Sequence, residues 1–384
     1  MPRIGYLFDS IHPSMKYILL TLLTGALFFG CQPTEKPTEA KGTIVFDTLQ
    51  ERPLQIYLPY GYSKDGAYPV VYMHDGQNLF LDSTSYAGEW GADEVMDSLI
   101  AAGAMPHTII VGVYNSPRRA EEYVPYNDET ILQMMHMESW DGSLHMLFAD
   151  FLVYDLMPYI ESKYGGIPVK SERALIGSSL GGIQALWMGL NYPEHFSLIG
   201  AMSPSVWVDE GAIIREVHSF DSLPRLKAWI DVGGQEYDPR CSELVQNLHQ
   251  RGWTYGEDLW YYEDPEGLHH ESSWRKRLVN PFLLFKGLQE ASHGKNKASL
   301  VELTNVFRPD PKPIYPGINV DLTLTNGVTY NAMHFANYVS DQWVLDSVGT
   351  ILGPITSRSG KVSIDYPGAS FELNVELSDK VILD

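Results

Sequence analysis

The chain of 384 residues has few cysteines and few basic side chains. Its only cysteines are Cys31 and Cys241, whose positions predict neither a disulfide framework nor a cysteine-ligated metal site. Lysine and arginine number 27 against 48 aspartates and glutamates, a formal net charge of −21 that would repel nucleic-acid phosphates. The composition therefore argues against a disulfide-stapled protein and against a nucleic-acid-binding protein.

The N-terminal apolar run is too short to span a bilayer, which takes about 20 residues. It extends from Tyr17 to Gly30, follows Met15 and the basic residue Lys16, and ends at Cys31. This pattern is typical of a signal-peptide core. Leu27-Phe28-Phe29-Gly30-Cys31 resembles a bacterial lipobox, which implies cleavage before Cys31 and a lipid on its thiol. An interfacial or core helix with an incidental cysteine remains the alternative.

Residues 1–41 are accordingly predicted to be a signal peptide, lipobox and polar tether. The expected location is outside the cytoplasm, with the protein lipid-anchored through Cys31 to the bacterial cell envelope, on the periplasmic or outer-membrane surface. The sequence leaves the oligomeric state open.

No internal repeat or long low-complexity tract is evident, so the organisation is taken from the predicted strands and helices. Buried or alternating runs predict strands at Leu54–Leu58, Pro69–Met73, Thr108–Val113, Ala174–Ile176, Leu198–Met202, Ala228–Val232 and Leu259–Tyr262. Helices are predicted at Phe148–Tyr164, Cys241–Arg251 and Ser272–Leu288, and from Leu180 onward. The alternation predicts an α/β catalytic domain over residues 42–290, a mostly parallel sheet covered by helices on both faces, with its site at the carboxyl ends of the strands.

The sequence changes character after Ala291. Four prolines between Pro309 and Pro316 predict a linker over residues 291–316. Short alternating runs separated by Gly and Asn turns then predict a small accessory β domain over residues 317–384. That segment holds no catalytic motif, so we expect its removal to leave activity on small esters largely intact.

The segment Gly177-Ser178-Ser179-Leu180-Gly181-Gly182 follows the buried run Ala174–Ile176. It predicts a strand, a sharp turn with Ser179 at its tip, and a helix that begins at Leu180. A Cβ atom at Gly177 or Gly181 would clash in so tight a corner. A Gly-x-Ser-x-Gly match is a weak signal by itself, so it needs a histidine and a carboxylate to support it.

The histidine candidates are His269 and His270, on the loop after the last predicted strand. The alternative to a catalytic base is a helix-capping loop with two solvated histidines. A metal site that adds Glu271 is a second one, but three consecutive ligands cannot easily converge on one ion. We therefore predict no metal.

The carboxylate candidates cluster after the strand Ala228–Val232. Asp231 is still on the strand, Glu236 lies on the loop just beyond it, and Asp238 is a third choice. A carboxylate in this place would fix the histidine tautomer. An oxyanion hole needs two N–H donors, and the backbone groups of Leu180 and Gln77 are the candidates. Nearby His74 is interpreted as a loop-packing residue.

With these pieces assembled, residues from Gly42 to Leu288 resemble the esterase-D and enterochelin-esterase-like putative esterase branch of the α/β-hydrolases. The matching segments are Tyr68–Phe80, Val111–Asn115 with Arg119, Glu122 and Tyr123, Gly177–Gly182, Ser203–Trp207, and His269-x-Glu271-x-x-Trp274. The resemblance selects His269 over His270 and points to Glu236 as the acid. Glu236 stands where many relatives carry Asp, and Gly234 replaces a usual small hydroxyl residue.

The resemblance implies a serine carboxylic-ester hydrolase that acts through an acyl-enzyme and needs no cofactor. Ser179, His269 and Glu236 would be catalytic, with Gln77 and Leu180 at the oxyanion hole. Candidate substrate-binding residues are Trp207, Tyr123, Trp274 and Arg119, although the aromatic ones could equally be core residues and the arginine could be solvated or paired with nearby glutamates.

The expected substrates are acetyl or feruloyl esters of carbohydrates. The alternatives are a siderophore trilactone esterase, an acyltransferase that uses the same residues, and a non-catalytic surface-binding lipoprotein.

Overall fold

The computed structural model describes residues 41–236, 240–288, 293–303, 315–347, 349–352, 355–367 and 369–379. Several sequence predictions lie outside these residues: the signal peptide and tether up to residue 40 with the lipobox at Cys31, Asp238 as a third candidate acid, and residues 304–314 of the predicted linker. Within the described residues, no helix has the length and apolar character needed to cross a membrane.

An eight-stranded sheet forms the centre of the fold. Its strands are β1 (Thr43–Leu49), β2 (Arg52–Leu58), β3 (Val70–Met73), β4 (Ile109–Val113), β5 (Arg173–Ser178), β6 (Leu198–Met202), β7 (Lys227–Gly233) and β8 (Leu259–Asp264). Their spatial order is β1-β2-β4-β3-β5-β6-β7-β8. Strands β3 to β8 run parallel, whereas β2 is antiparallel to both of its neighbours. The direction of winding changes between β3 and β5, and a ligand site is expected where those strands end.

Helices cover both faces of this sheet, as buried parallel strands require. They are α1 (Ala92–Ala101), α2 (Arg119–Tyr123), α3 (Glu129–Met134), α4 (Leu144–Asp150), α5 (Met157–Tyr164), α6 (Leu180–Asn191), α7 (Ala212–Ser219), α8 (Arg240–Gln250), α9 (Glu271–Arg277) and α10 (Val279–Lys286). A π-helical stretch, Phe151–Leu156, joins α4 to α5, so the helix predicted at Phe148–Tyr164 is continuous. Every residue of β3, β4 and β6 is buried, which explains their unbroken apolar sequences.

A second group of strands follows the catalytic region. They are β9 (His293–Leu303), β10 (Tyr315–Leu324), β11 (Thr329–Asn331), β12 (Asn337–Ser340), β13 (Val344–Leu345), β14 (Ile351–Leu352), β15 (Ser359–Tyr366) and β16 (Ala369–Glu376). The linker predicted over residues 291–316 thus includes β9 and the start of β10. These segments are strands because their backbones pair antiparallel, with Leu300 opposite Ile318.

The C-terminal strands pack against β8, the edge strand of the large sheet. The Asn331 side-chain carbonyl accepts a hydrogen bond from the Glu263 backbone N–H, and the Asn331 backbone carbonyl accepts one from the Tyr255 hydroxyl. The Phe335 ring stacks on Tyr255 with centroids 3.9 Å apart. Pairing and cover of this kind protect an exposed sheet edge. Residues from 41 onward form one compact unit, and the boundaries of a separate accessory domain stay a prediction.

Glu263, on β8 where the C-terminal strands pack against the large sheet, should make the stability of the protein pH-dependent. Burial raises the pKa of its carboxyl from 4.5 to about 7, and its partner is the Tyr261 hydroxyl at 3.4 Å. Between pH 4.5 and about 7 the folded state therefore holds a proton that the unfolded state releases. The stability that this proton contributes is fully present below pH 4.5 and is lost as the pH rises to about 7 and above. We expect Glu263→Gln to raise Tm at pH 8 but to change it little at pH 5.

Thermal unfolding at the two pH values tests this expectation, with Glu257→Gln, at an exposed position, as the matched control. An equal Tm change for Glu263→Gln at both pH values would contradict it.

Candidate active site

Ser179 occupies the turn between β5 and α6. Its backbone is strained, with φ 56° and ψ −123°. Two hydrogen bonds hold this conformation: the Ser179 N–H donates to the Met202 carbonyl (3.0 Å), and the Ser205 N–H donates to the Ser179 carbonyl (3.1 Å). The turn places the half-buried side chain of Ser179 at the N-terminus of α6, where helix N–H groups favour negative charge.

Glycine is required beside Ser179 for a steric reason. A Cβ atom at Gly177 would lie 2.3 Å from the Gly181 carbonyl oxygen, and one at Gly182 would lie 3.1 Å from the Met202 carbonyl oxygen. No larger residue fits the first position without moving the backbone. Close packing of β5 against α6 explains Gly177, which the sequence singled out, and close packing of α6 against β6 explains Gly182.

His269 bridges Ser179 and Glu236. Its Nε2 lies 2.9 Å from Ser179 Oγ, and its Nδ1 lies 2.7 Å from Glu236 Oε2. An ionised carboxylate only accepts hydrogen bonds, so Nδ1 carries the proton and Nε2 is free to accept the hydroxyl proton of the serine. The Glu236 side chain is 6% exposed and that of His269 is 42% exposed, so the acid is shielded while the imidazole faces solvent.

Backbone contacts join the loops that carry Glu236 and His269. The Gln235 N–H donates to the Gly267 carbonyl at 3.0 Å, and the Gly234 N–H donates to the Asp264 carbonyl at 2.6 Å. A Cβ atom at Gly233 would lie 2.4 Å from the Gly267 oxygen. This close approach sets the spacing between acid and imidazole.

The loop after β3 lies directly against the start of α6. A Cβ atom at Gly181 would be 3.1 Å from His74 Cβ and 3.5 Å from Asp75 Oδ2. Gln77, three residues after His74, lies in a short 3₁₀ turn that follows. Within the described part of the chain, neither the Gln77 N–H nor the Leu180 N–H donates to another protein group. Both groups therefore keep a donor without a protein partner in the described residues, as the predicted oxyanion hole requires.

The family model named Esterase, described as "Putative esterase", matches residues 47–285. The chain belongs to this esterase family. It has the α/β-hydrolase fold and is a carboxylic-ester hydrolase.

Two curated relatives and one solved structure illustrate the likeness. The chain is 28% identical to an endo-1,4-beta-xylanase/feruloyl esterase of Xylanibacter ruminicola, over 58% of this chain and 28% of that protein. It is 26% identical to a siderophore triacetylfusarinine C esterase of Aspergillus fumigatus, over 50% of this chain and 65% of that protein. A solved ferulic acid esterase has the same fold, with a TM-score of 0.50, 21% identity, and coverage of 64% of this chain and 98% of that one.

Ser203 and Arg277 support Glu236 in this esterase, and neither role was predicted from the sequence. Ser203 Oγ donates to Glu236 Oε1 (2.7 Å) and accepts from Trp274 Nε1 (3.0 Å) and Arg277 Nη2 (2.9 Å). The hydroxyl thereby uses its one donor and both acceptor positions. The Gly233 N–H also donates to Glu236 Oε1 at 2.8 Å. Together these contacts fix the orientation of the carboxylate that faces His269.

Asp231 belongs to a buried ion pair rather than to the contact with His269. Its Oδ1 accepts from Arg277 Nε (2.9 Å) and its Oδ2 accepts from Trp229 Nε1 (2.7 Å). The side chain is fully buried, with 0% exposure. These partners occupy both carboxylate oxygens, whereas Glu236 contacts the imidazole directly.

Arg119 and Tyr123, two of the candidate substrate-binding residues, instead hold the loop after β3. The Arg119 guanidinium donates to both Asp75 oxygens at 2.7 Å, and the Asp75 N–H donates to the Tyr123 hydroxyl at 3.1 Å. Burial alone would raise the pKa of Asp75, but the Arg119 charge and hydrogen bonds keep it below its usual value. Tyr123 is fully buried, so its ring is not placed to contact a substrate.

His74 packs inside the same loop, as predicted from the sequence. Its ring lies 4.8 Å from that of Tyr123 and 5.4 Å from that of Phe148. Neither ring nitrogen has a hydrogen-bond partner among the described residues. Burial lowers its pKa to about 4, so His74 is neutral at physiological pH.

The remaining aromatic candidates differ in position. Trp274 is buried, and its ring meets His269 edge-on with centroids 5.1 Å apart, so it packs against the imidazole and not against solvent. Trp207 is half-buried on the loop after β6, and its carbonyl accepts from Arg240 Nη1 at 3.2 Å. Of the predicted aromatic contacts, Trp207 is therefore the one whose burial leaves it partly accessible.

His270 and Glu271 each form hydrogen bonds with residues outside the Ser179–His269–Glu236 chain. His270 Nδ1 accepts from the Ser272 N–H (3.2 Å) and caps α9, whereas Glu271 Oε1 accepts from Asn78 Nδ2 (3.4 Å). Among the described residues, no three His, Cys, Asp or Glu side chains are grouped to hold a metal ion.

Proposed function

We propose that this esterase works through an acyl-enzyme on Ser179, with His269 as general base and Glu236 as the acid that orients it. The observation that carries the proposal is the unbroken hydrogen-bonded chain from Ser179 Oγ through the imidazole to Glu236 Oε2, at 2.9 and 2.7 Å. These distances fall within the range that proton transfer requires.

The reaction steps follow from the His269 tautomer that carries its proton on Nδ1 and leaves Nε2 free. His269 Nε2 takes the serine proton as Oγ attacks the ester carbonyl, and the Leu180 and Gln77 N–H groups stabilise the oxyanion that forms. The resulting imidazolium gives its proton to the departing alcohol oxygen, which leaves an acyl group on Ser179. Water, deprotonated by the same nitrogen, then attacks the acyl carbon; the bond to Ser179 Oγ breaks, Oγ takes the proton back from the imidazolium, and the acid is released.

For the substrate we propose acetyl or hydroxycinnamoyl esters of carbohydrates. Support comes from the relative named as a feruloyl esterase and from the half-buried Trp207 beside β6. A siderophore trilactone is the second candidate, because another relative is named as a siderophore esterase. An anionic ferric siderophore would favour a cationic pocket, however, and Arg119 is already paired with Asp75.

A panel of esters tests the proposal. We expect hydrolysis of a two-carbon chromogenic ester, and faster turnover of feruloylated or acetylated oligosaccharides than of a siderophore trilactone. Added alcohols that accumulate as new esters would indicate acyl transfer. No turnover of any ester by the folded protein would favour the non-catalytic alternative.

Two matched carboxylate variants separate the proposed acid from the buried ion pair. Glu236→Gln should lower kcat by roughly 10²- to 10⁴-fold with the fold kept, because an amide no longer stabilises the imidazolium. The loss should be smaller than for His269→Ala. Asp231→Asn should instead reduce the free energy of unfolding while the folded fraction keeps kcat within a few-fold. Kinetics and urea unfolding of both variants decide the matter, and the reverse pattern would assign the acid to Asp231.

We also propose export and lipid anchoring through Cys31, based on the apolar run that precedes it. The several acyl chains of a bacterial lipoprotein would hold the protein firmly at a membrane. Cys31→Ser is expected to move the enzyme from the membrane fraction to the soluble fraction of the native host. An intact mass that shows an unmodified Cys31 would rule out the anchor.

A further inference from the structure

Tyr86 is the most exposed of the large apolar side chains in the described residues, at 79%. It lies on the connection between β3 and α1. An aromatic ring left in water gains nothing for folding, because apolar surface stabilises only when it is buried. We therefore ask whether Tyr86 lies near enough to the active site to contact a substrate.

The backbone around Tyr86 is fastened to the loop that carries Gln77. The Tyr86 N–H donates to Asn78 Oδ1 (3.1 Å), and Thr84 Oγ1 donates to the Gln77 carbonyl (2.7 Å). The Trp90 N–H donates to the Asn78 carbonyl at 2.8 Å. Tyr86 thus stands on a backbone that is ordered before any ligand arrives, which reduces the entropy lost on binding.

The same connection also touches the loop that carries His269. Asn78 Nδ2 donates to Glu271 Oε1 at 3.4 Å. A Cβ atom at Gly88 would be 4.0 Å from His270 Cε1, and the Trp90 and Trp274 rings are 5.3 Å apart. The connection that carries Tyr86 therefore contacts both the proposed oxyanion loop and the start of α9, next to His270.

The proposed reaction indicates which half of the ester lies there. His269 Nε2 must protonate the departing oxygen, so the alcohol half of the substrate has to lie towards the histidine loop. The acyl half stays bonded to Ser179. The connection that carries Tyr86 contacts Glu271 through Asn78 and Trp274 through Trp90, so Tyr86 is assigned to the alcohol side.

The neighbouring charges select the kind of alcohol. Asp82 and Glu89 flank Tyr86 in the chain, and the Glu89 N–H donates to Asp82 Oδ1 at 3.1 Å. With a chain charge of −21, this acidic surface would repel an anionic group. Carboxylates accept hydrogen bonds from neutral hydroxyl groups, and an aromatic face packs against the apolar C–H face of a sugar.

We propose that Tyr86 is a specificity-determining contact for a neutral sugar that forms the alcohol half of the ester. This inference rests on the proposed function and deepens it. The ring would stack on the sugar and would leave the acyl group untouched. Its removal should therefore matter for esters of sugars and not for esters of the same acid with a small alcohol.

The test compares two esters that share one acyl group, methyl ferulate and a feruloylated arabinose oligosaccharide. Tyr86→Ala should raise KM for the sugar ester about 10-fold and leave both KM and kcat for methyl ferulate within about two-fold. Tyr86→Phe should restore most of the affinity. The control is Tyr60→Ala, whose side chain is 57% exposed. Tyr60 follows β2, which is antiparallel to β4, so it lies at the end of the sheet opposite to the carboxyl ends of the parallel strands. An equal change on both esters, or none on the sugar ester, would overturn the proposal.

A binding measurement separates this inference from the proposed function. Calorimetry on Ser179→Ala with the intact feruloylated oligosaccharide reads affinity without turnover, and adding Tyr86→Ala should raise Kd about 10-fold. If the wild-type protein hydrolysed no ester but the difference in Kd remained, the proposed function would be refuted and the role of Tyr86 in sugar binding would stand. If hydrolysis occurred and Kd did not change, only the role of Tyr86 would be refuted.

Discussion

Ser179→Ala is expected to lower kcat/KM on a two-carbon chromogenic ester by on the order of 10³-fold or more. The strained turn presents one hydroxyl to His269 Nε2, at 2.9 Å, and alanine removes the only atom that could form the acyl-enzyme. Circular dichroism should show an unchanged fold, because the side chain is half-buried and the backbone bonds of the turn remain.

Ser178→Ala is the matched control for this prediction. Ser178 precedes Ser179 in the chain but lies on β5 with 4% exposure, so its hydroxyl belongs to the interior. We expect this variant to keep most of its activity. Activity retained by Ser179→Ala and lost by a folded Ser178→Ala would refute the assignment of the nucleophile.

The central strands could be predicted from the sequence because both faces of a parallel strand are buried. Leu198–Met202 agrees with β6 residue for residue, and Ala228–Val232 lies within β7. Strand β1 was not predicted. It pairs with β2 through a turn in which Gln50 and Glu51 both have positive φ, and neither is the Asn or Gly that announces such a hairpin.

The site was predictable where chemistry depends on residues near one another in the chain, and less so where it depends on distant contacts. The elbow around Ser179 carries its glycines within a few positions. By contrast, Ser203 and Arg277 meet across 74 residues, and no local pattern shows that they share a hydrogen bond. Aromatic residue type likewise cannot tell whether a ring faces the core, as Tyr123 does, or solvent, as Tyr86 does.

Arg277→Met is expected to lower the free energy of unfolding by about 3–5 kcal/mol. The guanidinium is 2% exposed and lies 2.9 Å from the fully buried Asp231, 3.4 Å from Asp264 and 3.7 Å from Glu236. Its removal leaves the Asp231 charge without a cation in a site that excludes water. Ser203 also loses a donor, so the orientation of Glu236 should loosen and kcat should fall in the remaining folded protein.

Urea unfolding with Arg275→Met as the control tests this prediction. Arg275 lies on the same helix, but its guanidinium is 42% exposed and 3.8 Å from Glu94, so its loss should cost less than about 1 kcal/mol. The double variant Asp231→Asn with Arg277→Met removes both charges and should recover part of the stability, because no unpaired buried carboxylate remains. Equal losses for Arg275→Met and Arg277→Met would mean that the pair with Asp231 is not what holds the base of the site together.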